Sequence, residues 1–80
     1  MAIGQRLKEA RAGMAVTQLE LARRTGVGLR TIRQIEQNDF EPRLATARKL
    51  ATALEVRVEW LVFGIEPTTV MTKFEGEVQR

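Results

Sequence analysis

The chain has 80 residues, carries 13 Lys and Arg against 10 Asp and Glu for a net charge of +3, and contains no His, Cys or Tyr. A chain this short buries only about 60–65% of the surface that its unfolded form exposes, so we expect one small core of marginal stability and, on that ground, a dimer. Without His or Cys, the sequence excludes nucleophile–imidazole pairs, thiolate chemistry, structural zinc sites and disulfides, and we expect no metal, no cofactor and no enzymatic activity.

Apolar periodicity predicts helices from the amino end onward. The first apolar stripe has spacings of four, three and four residues and consists of Ile3, Leu7, Ala10 and Met14. It predicts a first helix over about residues 2–13. Thr17 then predicts an N-cap, and Glu20 three residues later completes a capping box. A second helix therefore follows over about residues 18–25.

Glycines and a proline separate the next elements. The run Gly26-Val27-Gly28 ends the second helix after two turns, and because glycine takes a positive φ without strain, it permits a sharp turn into a third helix over residues 29–36. Asn38-Asp39 ends the third helix, and Pro42 opens a fourth. The apolar stripe of the fourth helix is Leu44, Ala47, Leu50, Ala51 and Leu54.

The last predicted helix is short, covers about residues 58–63 and ends at Gly64. Residues 65–80 show no helical stripe and carry a net charge of −1, whereas residues 1–64 carry +4. Two alternatives remain open for this tail. It is a disordered end, or it adds a strand across a dimer axis, since Val70, Thr72 and Phe74 alternate with their neighbours.

The second and third helices resemble the helix-turn-helix of the Cro and phage-repressor family, also called the xenobiotic-response-element type. Ala22 is small where the two helices cross closely, and Gly26 lies four residues later at the turn. The shared core of the pair is Leu21, Val27, Ile32 and Ile35. A plain five-helix bundle explains these apolar residues but not the polar residues around them.

The resemblance covers about residues 2–64 and implies an all-α fold, a compact five-helix lambda-repressor-like DNA-binding domain with a short C-terminal tail. We expect the domain over residues 1–64, with the helix-turn-helix at about 18–37, and the tail over 65–80. The amino end carries charges where a secretory signal would be apolar, and no apolar run approaches the roughly 20 residues that cross a bilayer. We expect a cytoplasmic protein with no membrane partner.

The third helix carries the chemistry for reading DNA. Between Glu20 and Glu36 the sequence has four arginines and no acid. A rotation of about 100° per residue places Leu29, Arg30, Arg33, Gln34 and Gln37 on its outward face. Arg pairs with guanine O6 and N7, and Gln pairs with adenine N6 and N7. In the family this helix enters the major groove, so the resemblance implies that four residues read bases: Leu29, Arg30, Arg33 and Gln34.

The resemblance also assigns phosphate contacts. It implies that Gln18 grips a phosphate and steadies the first base-reading residue, with Thr17 and the first N–H groups of the second helix adding to the anion site. The alternative is that Gln18 is simply an exposed helix-opening residue. The complete set of expected DNA contacts is Thr17, Gln18, Gly28, Leu29, Arg30, Thr31, Arg33, Gln34, Gln37, Asn38 and Arg43.

Several positions depart from the commoner family pattern. Gly28 and Leu29 stand where a Ser or Thr cap and a polar residue are usual, which leaves Leu29 with a thymine methyl contact or none. Ala15 and Glu55 replace helix-ending glycines, and we expect left-handed backbone there at about 1 kcal/mol each. The resemblance further implies a structural ion pair between Arg11 and Glu36, since an unpaired carboxylate repels phosphate.

A single recognition helix covers only a few base pairs, so we expect a two-fold homodimer that reads a near-palindrome through grooves about 34 Å apart. The expected dimer interface is Val58, Trp60, Leu61 and Phe63, with core packing as the alternative for Trp60. The leading hypothesis is a transcription regulator, a repressor that binds double-stranded DNA. The alternative is an antitoxin or adaptor whose helix five or tail binds a partner protein such as a toxin.

Overall fold

The structure is a computed structural model that describes residues 3–65. It contains five helices in chain order: α1 (Ile3–Met14), α2 (Gln18–Thr25), α3 (Leu29–Glu36), α4 (Leu44–Ala53) and α5 (Val58–Phe63). The predicted all-α class and element order are confirmed, with α1 displaced by one residue. Within residues 3–65 no helix has the length and apolarity that a membrane crossing requires. The strand proposed within the tail lies outside the described residues.

The helices share one core. α1 packs against α3 and α5, α2 packs against α3 and α4, and α4 packs against α5. Every helix contributes to the fully buried side chains, which are Leu7, Leu21, Ile32, Ile35, Leu50, Leu54 and Leu61. Val27, expected in this core, is partly buried and packs against it. Because no pair of helices completes the core alone, α3 has its orientation only within the whole domain.

Each of the five helices is followed, within two residues, by a residue with left-handed backbone. After α2 and α5 this residue is Gly26 or Gly64, where φ is 79° and 76°. After the other three helices it is a non-glycine residue, namely Ala15 (φ 55°), Asn38 (φ 64°) or Glu55 (φ 58°). In each of these three, the N–H of the following residue bonds to a carbonyl five positions back at 2.9–3.0 Å. The expectation for Ala15 and Glu55 is confirmed.

The predicted capping box opens α2. Thr17 Oγ1 accepts the Glu20 N–H at 3.0 Å, and the Glu20 carboxylate accepts the Thr17 N–H at 2.9 Å. The second bond favours the charged carboxylate and so lowers the pKa of Glu20 below its ordinary value. The box fixes the start of α2, and with it the place of Gln18 in the first turn.

α1 approaches the end of α3 most closely at Gly4, which is buried. A β-carbon at this position would lie 2.5 Å from the Ile35 carbonyl oxygen, 2.6 Å from Asn38 Oδ1 and 2.9 Å from the Glu36 carbonyl oxygen. Two of these three atoms belong to the backbone and move only if the helices separate. Glycine is therefore required where α1 meets α3.

Arg6 joins α1 to α5. Its guanidinium donates from Nε to the Leu61 carbonyl and from Nη2 to the Val62 carbonyl, both at 2.9 Å. Carbonyls in the last turn of a helix lack partners within the helix, and a cation there also complements the negative end of the helix dipole. A side chain from the start of the chain thus caps the last helix, a contact that the sequence analysis did not predict.

We expect two glycine substitutions in α1 to change stability in opposite directions. Gly4→Ala should lower the free energy of unfolding by about 1–3 kcal/mol, because the new methyl group overpacks the contact with α3. Gly13→Ala should raise it by about 0.5–1 kcal/mol, since a β-carbon there meets no atom within 4 Å and alanine favours a helix. Urea denaturation followed by circular dichroism measures both. Equal stability of Gly4→Ala and the wild type would contradict the close approach.

Candidate nucleic-acid interface

α3 divides its residues between the core and a polar outer face. Ile32, Ile35 and Glu36 are buried, whereas Arg30 and Arg33 are exposed. Of the other expected contacts on this helix, Leu29, Thr31 and Gln34 are half-buried, and Gly28 before it and Gln37 after it are exposed. The helical rotation thus places both arginines on one open surface.

The charge on this surface is not neutralised from within the domain. The ion pairs among residues 3–65 are Arg11–Glu36 and Arg57–Glu59. Arg30 and Arg33 therefore have no acidic partner in this range. The one acid of α3 is Glu36, which is 3% exposed and points into the domain. The outer face consequently offers the guanidinium groups of Arg30 and Arg33 and the amides of Gln34 and Gln37, a donor set suited to the edges of bases and to phosphates.

The buried carboxylate of Glu36 is bound by two side chains from other helices. Arg11 donates from Nε to Oε2 at 2.7 Å and from Nη2 to Oε1 at 2.9 Å. Gln18 donates from Nε2 to Oε1 at 2.9 Å. Hydrogen bonding to this carboxylate raises the pKa of Arg11 above its ordinary value. The network joins the last turn of α1, the first residue of α2 and the last residue of α3.

The Arg11–Glu36 pair has the geometry that the family resemblance implied, but the contact of Gln18 with Glu36 was not predicted. Arg11 also donates from Nη1 to the Val16 carbonyl at 3.0 Å, which holds the loop that precedes α2. Gln18 is half-buried, so it is not the freely exposed helix-opening residue of the alternative interpretation. One of its two amide hydrogens is committed inside the domain.

The first turn of α3 has no side-chain cap. Gly28 is the N-cap residue with extended backbone (φ −62°, ψ 143°), and the first hydrogen bond of the helix runs from the Ile32 N–H to the Gly28 carbonyl at 3.0 Å. The N–H groups of the residues before Ile32 have no acceptor within the helix, and the positive end of the helix dipole lies at the same place. A polyanion that approaches α3 at this end meets donors as well as cations.

The loop between α3 and α4 carries the other two expected phosphate contacts. Asn38 and Arg43 are both exposed, and Arg43 is the N-cap residue of α4. Asn38 Oδ1 also lies beside Gly4, at the place where α1 approaches the end of α3. Two large apolar side chains of the same segment, Phe40 and Leu44, are 45% and 50% exposed. The sequence analysis did not single out Phe40, because an isolated aromatic residue in a loop has no periodic signal.

The structure corrects the expected dimer interface at one residue. Leu61 is fully buried in the domain's own core, so it has no surface to offer a second chain. Val58 and Trp60 are partly buried and pack against the same core. Phe63 is 67% exposed and Ile65 is 45% exposed. The outward apolar surface of this end of the domain is therefore smaller than predicted and lies around Phe63.

Other surface features of the described residues offer less. A cleft of about 430 Å³ between α2 and α4 is lined by Arg24, Thr25, Arg48, Lys49, Thr52 and Ala53, and none of these belongs to α3. Arg24 lies in the last turn of α2, where a cation complements the helix dipole. Residues 3–65 contain no group of three acidic side chains placed to hold a metal ion.

Comparisons with known proteins agree with this geometry. The family model for Helix-turn-helix matches residues 7–61. Two uncharacterised HTH-type transcriptional regulators of Archaeoglobus fulgidus are 41% and 39% identical over 54 residues, which is 68% of this chain and 76–77% of theirs. The immunity repressor protein of Bacillus phage phi105 is 32% identical over 62 residues, 78% of this chain and 43% of that protein.

Two solved structures have similar folds. The P22 c2 repressor protein, in complex with a synthetic operator, has a TM-score of 0.75 and 26% identity, with 81% of this chain and 98% of that chain covered. The complex of the SinR and SinI proteins has a TM-score of 0.73 and 25% identity, with 95% of this chain and 79% of that chain covered.

We expect the network around Glu36 to be sensitive to loss of its cation. Arg11→Met should lower the free energy of unfolding by about 3–5 kcal/mol, because it leaves a buried carboxylate without charge compensation. The double variant Arg11→Met, Glu36→Leu should recover much of this loss, since it removes the charge as well. Thermal and urea denaturation test both variants. A single-variant loss below about 1 kcal/mol would mean that water compensates the carboxylate.

Proposed function

The chain belongs to the helix-turn-helix family of Cro/C1-type DNA-binding transcription regulators, and on this premise we propose that it is a repressor that occupies a near-palindromic operator as a homodimer. In this proposal α3 enters the major groove. The first turn of α2 and the loop between α3 and α4 contact the flanking phosphates. The observation that carries the proposal is the acid-free outer face of α3, where Arg30 and Arg33 are exposed and have no ion pair within the described residues.

The base-reading role falls to the side chains that the rotation of α3 turns outward. Arg30 and Arg33 have the donor geometry for guanine, and Gln34 has that for adenine. Leu29 offers an apolar contact for a thymine methyl group, and Thr31 a hydroxyl close to the same turn. Gly28 has no side chain to separate the N-terminus of α3 from the DNA. Within the domain a β-carbon at this position would meet only Thr31 Oγ1, at 3.8 Å.

The remaining expected contacts fit phosphates. Thr17 and Gln18 lie at the positive end of α2, and Arg43 and Asn38 are exposed in the loop after α3. Gln37 is exposed at the carboxyl end of α3. These groups supply affinity and orientation, whereas the α3 side chains supply sequence discrimination.

Repression by occupancy is supported by two of the similar proteins, one of them a phage immunity repressor and the other a repressor bound to an operator. An operator-bound dimer of such domains blocks a promoter by its presence alone. The dimer places its two recognition helices in successive major grooves, about 34 Å apart.

Selection of bound duplexes from a random pool tests the proposed function. The purified full-length chain is incubated with the pool at about 0.15 M salt, where non-specific binding is weak at roughly 10⁻⁴–10⁻⁶ M. We expect enrichment of an inverted repeat whose half-sites are one helical turn apart. Failure to enrich any sequence would count against operator binding by this chain alone.

A substitution on α3 should change base preference rather than general affinity. Arg33→Ala is expected to remove discrimination at one base pair per half-site, at about 1–3 kcal/mol, and to leave non-specific binding nearly intact. Arg48→Ala removes the same charge from α4, outside α3, and should leave the base preference unchanged. Fluorescence anisotropy with the selected duplex and its point variants measures both. A uniform loss on all duplexes with Arg33→Ala would make it a phosphate contact.

A charge at the exposed end of α5 should weaken the dimer. Phe63→Glu is expected to shift sedimentation velocity profiles towards the monomer, because it places a carboxylate in the proposed apolar interface. Leu44→Glu, at a side chain that is 50% exposed in another part of the domain, is the matched control. An unchanged dimer with Phe63→Glu would move the interface elsewhere, and a monomeric wild type would contradict the homodimer.

One observation favours a second candidate function. A similar solved structure is a complex of two different proteins, and Phe63 and Ile65 give this chain an exposed apolar surface for a partner. In that case the chain is an antitoxin or adaptor, and binding to DNA accompanies binding to the partner protein. A monomer that selects no duplex would favour this candidate over the homodimeric repressor.

A further inference from the structure

We propose that Glu36 is a positioning residue of the DNA interface, because its carboxylate selects one of the two orientations of the Gln18 side-chain amide and holds it there. The inference rests on the proposed DNA-binding function and adds a role to a residue that otherwise belongs to a structural ion pair. It concerns how Gln18 is prepared for DNA before any DNA is bound.

The hydrogen bond between the two side chains can run in only one direction. Gln18 Nε2 lies 2.9 Å from Glu36 Oε1. A carboxylate accepts hydrogen bonds and donates none, whereas a glutamine amide has a donor end and an acceptor end. If the amide flipped, its oxygen would face a carboxylate oxygen, and the two acceptors would repel each other. Glu36 therefore permits only the orientation with Nε2 inward and Oε1 outward.

The carboxylate of Glu36 is itself held in place. Both of its oxygens are bound by Arg11, at 2.7 and 2.9 Å, and it is 3% exposed. Arg11 is held in turn by the Val16 carbonyl at 3.0 Å. A bidentate Arg–carboxylate pair fixes distance as well as direction. Gln18 is thus oriented by a group that has itself no freedom to rotate.

Part of the hydrogen-bonding capacity of the Gln18 amide remains available to DNA. A glutamine amide has two hydrogens, and one of them is committed to Glu36, so one N–H is left for a phosphate oxygen. The outward carbonyl oxygen accepts a hydrogen bond, which a phosphate cannot supply and an Arg or Gln side chain of α3 can. This orientation suits the role that the family resemblance implies for Gln18, which is to contact a phosphate and to steady a side chain of α3.

The charge of the Glu36 carboxylate also affects the binding of DNA. A carboxylate behind a phosphate contact would repel DNA if its charge were free. Arg11 compensates that charge at hydrogen-bond distance, so the network that orients Gln18 has no net charge. Pre-orientation also removes part of the side-chain entropy that Gln18 would otherwise lose on binding. The expected result is tighter binding through Gln18 only while the carboxylate is present.

The test measures how far the effect of Gln18 depends on Glu36. Gln18→Met, an apolar replacement of similar length, is introduced into the wild type, into Glu36→Gln and into Arg11→Lys. Glu36→Gln lets the amide flip, because a glutamine at 36 both donates and accepts. Arg11→Lys weakens the ion pair but keeps the carboxylate. Affinity is measured with the selected duplex, and with a random-sequence duplex of about 20 base pairs at about 50 mM salt.

We expect Gln18→Met to weaken binding about tenfold in the wild type and in Arg11→Lys, and less than about threefold in Glu36→Gln. A purely structural role for Glu36 would leave the tenfold effect the same in all three backgrounds, and that result would overturn the proposal. Denaturation of each variant confirms that the measured protein is folded. The Arg11→Lys background controls for lost stability, since it weakens the fold without removing the orienting group.

A second measurement needs no DNA. In the free protein, ¹⁵N relaxation of the side-chain amides should show Gln18 to be restricted, in contrast to the exposed Gln37, and Glu36→Gln should release it. A Gln18 amide as mobile as that of Gln37 would overturn the proposal directly. If no variant binds either duplex, the proposed function fails and the DNA role of Glu36 fails with it. The relaxation data would still show whether the amide is held.

Discussion

The fold and its candidate interface both depend on the buried carboxylate of Glu36 and its pair with Arg11. This one group lies where the last turn of α1, the first residue of α2 and the last residue of α3 meet. A buried ion pair adds little to stability compared with apolar side chains of the same volume. Its value here is geometric, since directed hydrogen bonds fix the relative positions of three helices more strictly than apolar contacts do. The two helices of the helix-turn-helix are thereby connected at two places. The glycine turn links them in sequence, and the hydrogen bond from Gln18 to Glu36 links their outer ends.

The same carboxylate explains how a domain with a modest net charge presents a strongly basic surface. Removal of the only acid of α3 from solvent leaves the outer face of that helix to arginine and glutamine. Glu20 is occupied with the first turn of α2, where it accepts the N–H of Thr17. Glu20 and Glu36 are therefore engaged with the backbone or with Arg11, whereas Asp39 and Glu41 are exposed in the loop after α3. The positive field that faces a polyanion arises from this placement of the acids as much as from the number of arginines.

Local signals in the sequence were sufficient for the helices and for most of their ends. Apolar spacing, the capping box at Thr17 and the glycine turn predicted α2, α3 and α5 to the residue, and the family resemblance supplied the Arg11–Glu36 pair. What the sequence did not reveal depends on approach between distant segments. The bond from Gln18 to Glu36, the capping of α5 by Arg6 and the close contact at Gly4 have no periodic or compositional signal. Leu61 was misplaced because a helix of six residues has too few turns for periodicity to decide which of its apolar side chains faces inward.

α1 contacts both the recognition helix and the helix proposed to carry the dimer interface, and it does so within a single turn. Gly4 meets the end of α3 and Arg6 meets the end of α5, two residues apart, or about 3 Å along the helix axis. Because the two contacts are so close together, we expect a displacement of the end of α3 to be passed on to the end of α5. In the proposed dimer, we therefore expect this turn of α1 to contribute to the distance between the two α3 helices. We expect the dimer to bind more weakly to operators whose half-sites are one base pair closer together or further apart, even though every base-reading side chain is unchanged.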